Sequence, residues 1–446
     1  MVKAGSVGRV PRANGAARAD PPRFPLAVAV LTLLLVGAGL SAQSQRRDAF
    51  VAPRDHPAIR YSTAETTDAA TALNRRLRAG TVALKFEPGH GYLRSLLDAL
   101  AVPAESQALV FSQTSFQAPH INYRNPRAVY FTDTVAVGWV RGGDILEIAA
   151  QDPAQGVVFY ALDQKDVRAP ELKRNNDCLA CHLSWDTLGV PGLMVESVHP
   201  LPDDISYVNG YNTIHASPLE QRWGGWWVTG NAGRVRHMGN IPVMPADKGK
   251  LKLANATAPL ASVEGQFDLA GFPTPYSDVV AQMVLAHQVR MTNLITRTGW
   301  EARLATAAPS ADASARVREA ASDLVDYLLF VDEAPFAGPM QGSSGYAEWF
   351  AKQGPRDAQG RSLREFDLRR WLFKYPCSYM IYTPAFDAMP AAAKDAVYSR
   401  MWEVLSGKVK EKPYISRLSA ADRQSVLQIL RATKKDLPSY FQQPVS

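Results

Sequence analysis

The chain has 446 residues but only three cysteines, too few for a disulfide scaffold. It has one C-x-x-C pair and no second, so a structural zinc site, which needs four ligands, has nothing to complete it. It shows no H-E-x-x-H metal site, no phosphate-binding loop and no recognisable nucleophile and base pair. Internal repeats are also missing. Lysines and arginines are scattered, without a long basic run, and this excludes nucleic acid as an expected partner. What remains is an ordinary globular composition, 46% hydrophobic and 20% charged, which from about residue 60 onward suffices for one large core or two smaller ones.

The first residues read differently. Lys3, Arg9, Arg12, Arg18 and Arg23 precede an apolar run over residues 26–40, and Ser41, Ala42 and Gln43 follow it. Fifteen residues fall short of the roughly 20 that a membrane-spanning helix needs. Basic residues ahead of such a run and small residues behind it predict an export signal over residues 1–42, with a retained membrane anchor as the alternative. The five basic residues and Asp20 of this segment account for four of the seven formal positive charges, so the remainder is close to neutral.

Two of the cysteines lie in Asn176-Asp177-Cys178-Leu179-Ala180-Cys181-His182. C-x-x-C-H is the spacing of c-type haem attachment: each thiol bonds one porphyrin vinyl group, and the adjacent histidine lies under the iron as its proximal ligand. A redox dithiol is the competing reading. It calls for a buried strand ahead of the motif, and Arg174-Asn175-Asn176-Asp177 is polar. An export signal agrees with haem, because c-type haem is normally attached outside the cytoplasm. The third thiol, Cys377, lies in the aromatic run Phe373-Lys374-Tyr375-Pro376-Cys377-Ser378-Tyr379 and reads as an inert core thiol, with a cross-chain disulfide as the alternative.

On residues 178–182 and some seventy residues around them, the chain resembles the c-type cytochromes, in particular large exported bacterial proteins with a single haem. The resemblance implies one covalently bound haem c as cofactor, electron transfer as function and a redox partner protein. It also implies a location in the periplasm or on the outer face of the cytoplasmic membrane, with residues 26–40 as the tether if they are retained. Val190-Pro191-Gly192-Leu193 is similar to the proline-bearing loop whose carbonyl accepts the proximal imidazole proton in small cytochromes c.

The other face of the iron decides between uses. Met238 is the first distal candidate, His237 beside it the second and Met194 a third; Met244, His199 and His215 are further choices. Arg222, Arg234 and Arg236 are candidate partners for the haem propionates, because the guanidinium fork suits carboxylates. Trp223, Trp226 and Trp227 are candidate walls of the pocket or sheet core. His287, on an apolar helical stripe, reads as a packed core residue. Two protein ligands would make an electron carrier; an open or displaceable sixth site would make a peroxidase-like oxidoreductase, or a redox or gas sensor.

The periodicities predict an α+β fold. Short apolar runs at 109–111, 128–131, 135–140, 145–149 and 157–162, with Gly142-Gly143 between two of them, predict an antiparallel sheet. A second hairpin is expected from Trp223 to Met238, turning at Asn231-Ala232-Gly233. Beyond Pro273, residues 277–297, 312–330, 390–406 and 419–433 carry helical stripes. The expected layout is a β-rich, haem-bearing region at 60–260 and a mainly helical region at 270–440.

Overall fold

A computed structural model describes residues 53–198, 210–241 and 259–444. The expected export signal at 1–42, His199 and Met244 lie outside the described residues. Residues 52–446 cluster as one unit, in which the two expected regions share a core.

Helices α1 (Ala69–Arg78) and α2 (Leu93–Ala99) precede the sheet. Strands β1 (Ala108–Val110), β2 (Arg127–Phe131), β3 (Val135–Trp139), β4 (Ile145–Asp152), β5 (Gly156–Asp163) and β6 (Lys173–Arg174) follow. After the helical turn α3 (Leu179–His182) come β7 (Glu196–Ser197), β8 (Tyr211–Asn212) and β9 (Trp226–Trp227). The carboxyl-terminal half carries α4 (Val279–Ala307), α5 (Ala311–Leu328), α6 (Tyr346–Ala351), α7 (Pro384–Asp387), α8 (Ala391–Leu405), α9 (Lys412–Arg417) and α10 (Ala420–Thr433). A seven-stranded sheet runs β6-β5-β4-β3-β2-β1-β9 with every pairing antiparallel, and β7 and β8 pair separately. The α+β architecture is therefore present, with the sheet in the first half and helices in the second.

Strand alternation gives the sheet two faces. Tyr130, Val137, Ile148, Val158 and Tyr160 point one way and are buried; Tyr160 Oη donates to Asp68 Oδ2 at 2.7 Å, tying this face to the N-cap of α1. The opposite face, with Ala136, Ala149, Gln151 and Val157, lies against Leu285, Gln288, Val289 and Thr292 of α4. Helix α4 is capped by Asp278, whose side chain accepts from the Val280 and Ala281 amides, and is buried on nearly all sides. That is why its periodic stripe is weak: a helix surrounded by sheet and helices needs no polar face. Helix α10 begins with a capping box between Ser419 and Asp422.

The tryptophan-rich segment departs from expectation. It forms no second hairpin; Trp226 and Trp227 become the edge strand β9, paired with β1. Trp223 and Gly225 take positive φ, which interrupts a strand. The returning segment bonds as a loop instead: Met238 N donates to Arg222 O (3.0 Å) and Asn240 N to Trp226 O (2.9 Å), while the Asn240 side chain clasps both backbone groups of Val228.

Candidate functional site

The C-x-x-C-H motif begins where the sheet ends. Strand β6 pairs with β5, the Asn175 amide donates to Phe159 O (2.8 Å), and the Asn175 side chain accepts from the Asp177 amide (2.9 Å) to start the turn. Buried Leu179 draws that turn inward. Cys178 and Leu179 have αR backbone angles and α3 continues to His182, so positions 178, 181 and 182 fall on one helical face. The two thiols meet the surface differently, Cys178 being half-buried and Cys181 exposed; neither is bridged.

His182 is held at its back. Its Nδ1 lies 2.9 Å from Gly192 O, and since a carbonyl oxygen only accepts, Nδ1 carries the proton. Gly192 N donates to His182 O at 3.0 Å, so loop and motif are joined twice. Among the described residues Nε2 has no hydrogen-bond partner, and it holds the ring's lone pair. Burial lowers the imidazole pKa to about 4, keeping the ring neutral at physiological pH. Phe159 of β5 packs on it at 4.8 Å between ring centroids.

Burial also pushes the Cys178 thiol up to about 11, with the negative charge of Glu147 adding to the shift; burial and Glu196 raise Cys181 as well. Both thiols are protonated at neutral pH, unlike the low-pKa thiol of a redox dithiol. The Glu147 carboxylate is paired with Arg127 at 2.5 Å. The pair lies flat over Gly138, where a Cβ would come within 2.6 Å of the guanidinium. Sequence reasoning missed this pair because its partners are twenty residues apart and meet only through the register of β2, β3 and β4.

The structure separates the other candidates. Arg222 is 1% exposed, and its guanidinium donates to Ser217 O, His215 O and the Met283 sulfur. It holds a loop together from inside, where a propionate reaching toward solvent would find no free edge. Arg234 and Arg236 are exposed. His237 is buried, with Nδ1 accepting from Gly239 N at 3.1 Å and its ring edge-on to Trp223; burial lowers its pKa to about 4. Met238 and Met194 are half-buried. The segment that carries the distal candidates is stitched to the strand following the proximal loop, through Trp226 Nε1 to Glu196 O (2.7 Å) and Gly224 N to Ser197 Oγ (2.8 Å). His215 is stacked on Tyr327 in the core, its Nε2 on Val331 O.

Among the described residues no group of three or more His, Cys, Asp or Glu side chains is gathered to hold a metal ion, and no helix is long and apolar enough to cross a membrane. No protein-family model matches the chain, and no curated protein or solved structure is similar to it.

Proposed function

We propose that this chain is an exported c-type cytochrome that binds one haem c through Cys178 and Cys181, ligates its iron with His182 and exchanges electrons with a partner protein. The observation that carries the reading is the hydrogen bond from His182 Nδ1 to Gly192 O inside a C-x-x-C-H turn. It fixes the tautomer that leaves Nε2 as the donor.

The residues present fit the group. Cys178 and Cys181 would each hold the group by a thioether, the S–H adding across one vinyl double bond to form a C–S and a C–H bond with nothing released, and protonated, unbridged cysteines on one helical face suit that addition. The Gly192 carbonyl, by accepting the imidazole proton, strengthens donation from Nε2. Phe159 and the 190–193 loop shield the proximal ring from water. Met238 would supply the second iron ligand, with His237 and Met194 as the alternatives to be tested against it. Bound haem supplies a one-electron iron couple, and the protein's part is to hold its ligands and dielectric constant between oxidation states.

The test is an optical spectrum of the exported protein, oxidised and reduced, with a pyridine haemochrome assay and a carbon monoxide titration. A c-type haemochrome whose reduced iron ignores carbon monoxide is expected. Replacing Met238 with Ala should then open the site to carbon monoxide; an unchanged spectrum in both Met238→Ala and His237→Ala would remove these two residues as ligands. Absence of haem from the exported wild-type protein would overturn the proposal.

A further inference from the structure

Helix α4 contains a residue that propensity does not explain. Asn293 sits in its interior, 1% exposed, where asparagine is a poorer helix former than alanine by roughly half a kcal/mol and a buried amide demands partners. Its partners are neither helical nor close in sequence. Oδ1 accepts from Leu193 N at 3.1 Å and Nδ2 donates to Leu193 O at 2.7 Å, so one side chain satisfies both backbone groups of a residue a hundred positions earlier. The preceding residue is Gly192, where a Cβ would stand 2.2 Å from Asn293 Oδ1. Only glycine lets the loop approach the amide this closely. Gly192 O is the acceptor of the His182 Nδ1 proton.

We infer that Asn293 is a positioning residue for the proximal ligand: by clamping Leu193 it fixes the Gly192 carbonyl against His182 and thereby sets how strongly the imidazole donates to iron. The inference rests on the haem reading above and extends it to a side chain on a different element. A carbonyl pinned between a rigid helix and an imidazole cannot rotate away, so the Nδ1–H···O bond persists. Loss of the clamp frees the peptide, weakens that bond and lowers the donor strength of Nε2. A weaker donor stabilises ferric iron less, and the reduction potential rises.

The experiment is a redox titration of the haem-loaded full chain with Asn293→Leu, which removes both bonds at similar volume, and Asn293→Ala, which removes both without adding charge or bulk. Thr298→Val serves as the control: Thr298 is equally buried in α4 but bonds Leu294 O and Ala320 O, away from the loop. Haem content in each is read by pyridine haemochrome. The expected result is an upward shift of potential in Asn293→Leu and in Asn293→Ala and none in Thr298→Val. Should Asn293→Leu fail to fold, Asn293→Ala decides alone. Unshifted potentials in the folded Asn293 variants, whatever their melting temperatures, would overturn the positioning role while leaving the haem reading intact. A wild-type chain without haem would overturn both.

Discussion

Two histidine environments in this molecule end in opposite roles. His182 stands at the rim of the sheet, half-buried, with Nδ1 on a loop carbonyl and Nε2 uncommitted among the described residues. His287 lies in the middle of α4, 1% exposed, with Nε2 2.8 Å from Ser378 Oγ and its ring stacked 4.5 Å from Phe330 and 5.2 Å from Tyr327. Burial keeps both imidazoles neutral, lowering His287 to about 3. What separates them is which nitrogen the fold commits. The rim histidine is anchored from behind by its proton and presents a lone pair; the core histidine is enclosed by rings and functions as a packing unit.

The comparison predicts a double dissociation. Its largest effect is expected at the rim: the variant Cys178→Ala/Cys181→Ala should lose all covalent haem, read by haem staining on a denaturing gel. Its unfolding free energy, measured against wild-type chain prepared without haem, should change by less than about 1 kcal/mol, because these side chains are half-buried or exposed. Retention of covalent haem would break the comparison at its rim side. The converse belongs to the core. His287→Ala should cost about 3 kcal/mol in denaturant unfolding through the cavity left among Phe330, Tyr327 and Phe373, while haem content stays at one per chain. A His287→Ala protein of unchanged stability that lost its haem would reverse the two roles.

How much of this was legible in the sequence differs between the same two regions. The motif itself was plain because its chemistry depends on contiguous residues, and the loop at 190–193 could be singled out because it follows closely. The five strands from 108 to 163 and the four long helices were also visible, since alternation and helical stripes reflect local burial. Asn293 was not visible as a partner of Leu193, nor Arg127 as a partner of Glu147, because both contacts are made by tertiary register. In the sequence Asn293 is one of several polar residues of a long helical segment, and nothing local marks its partner. Arg222 misled for a related reason: the chain does not reveal whether a guanidinium near aromatic residues faces a ligand or its own backbone carbonyls. The hairpin expected at 223–238 is absent because Trp223 and Gly225 carry positive φ, which treating tryptophans as strand formers does not anticipate.

The core histidine also gives the protein a pH signature. The unfolded chain takes up a proton on this ring as pH falls through about 6.5, whereas the folded ring resists protonation down to about 3. The stability that goes with keeping it neutral is therefore complete above pH 6.5 and is lost as pH falls toward 3. The slope is about 1.4 kcal/mol per pH unit for one such group. His287→Phe should make the acid limb of the stability profile shallower by roughly that amount. His215, stacked on the same tyrosine and likewise shifted down by burial, should preserve part of the limb. An acid limb identical to wild type in His287→Phe would show that this ring is already protonated in the folded protein.

The smallest effect tests the comparison on sulfur. Cys377 is the core counterpart of Cys178 and Cys181: it is 0% exposed, and burial raises its thiol pKa far out of the reactive range. A thiol so placed packs as a small apolar group, and bridging to another chain would require the surrounding rings to open first. Cys377→Ala should therefore cost only about 1 kcal/mol, the scale of one deleted heavy atom in a packed core. Haem content and the monomer band on a non-reducing gel should not change. Alkylation of native haem-free chain should label Cys181 first and Cys178 more slowly, because a thiol with a pKa of about 11 is almost wholly protonated at pH 8. Cys377 should react only on unfolding. Labelling of Cys377 in the native protein would show that the helical half opens as readily as the rim, and the distinction between a presenting edge and a packed interior would no longer hold.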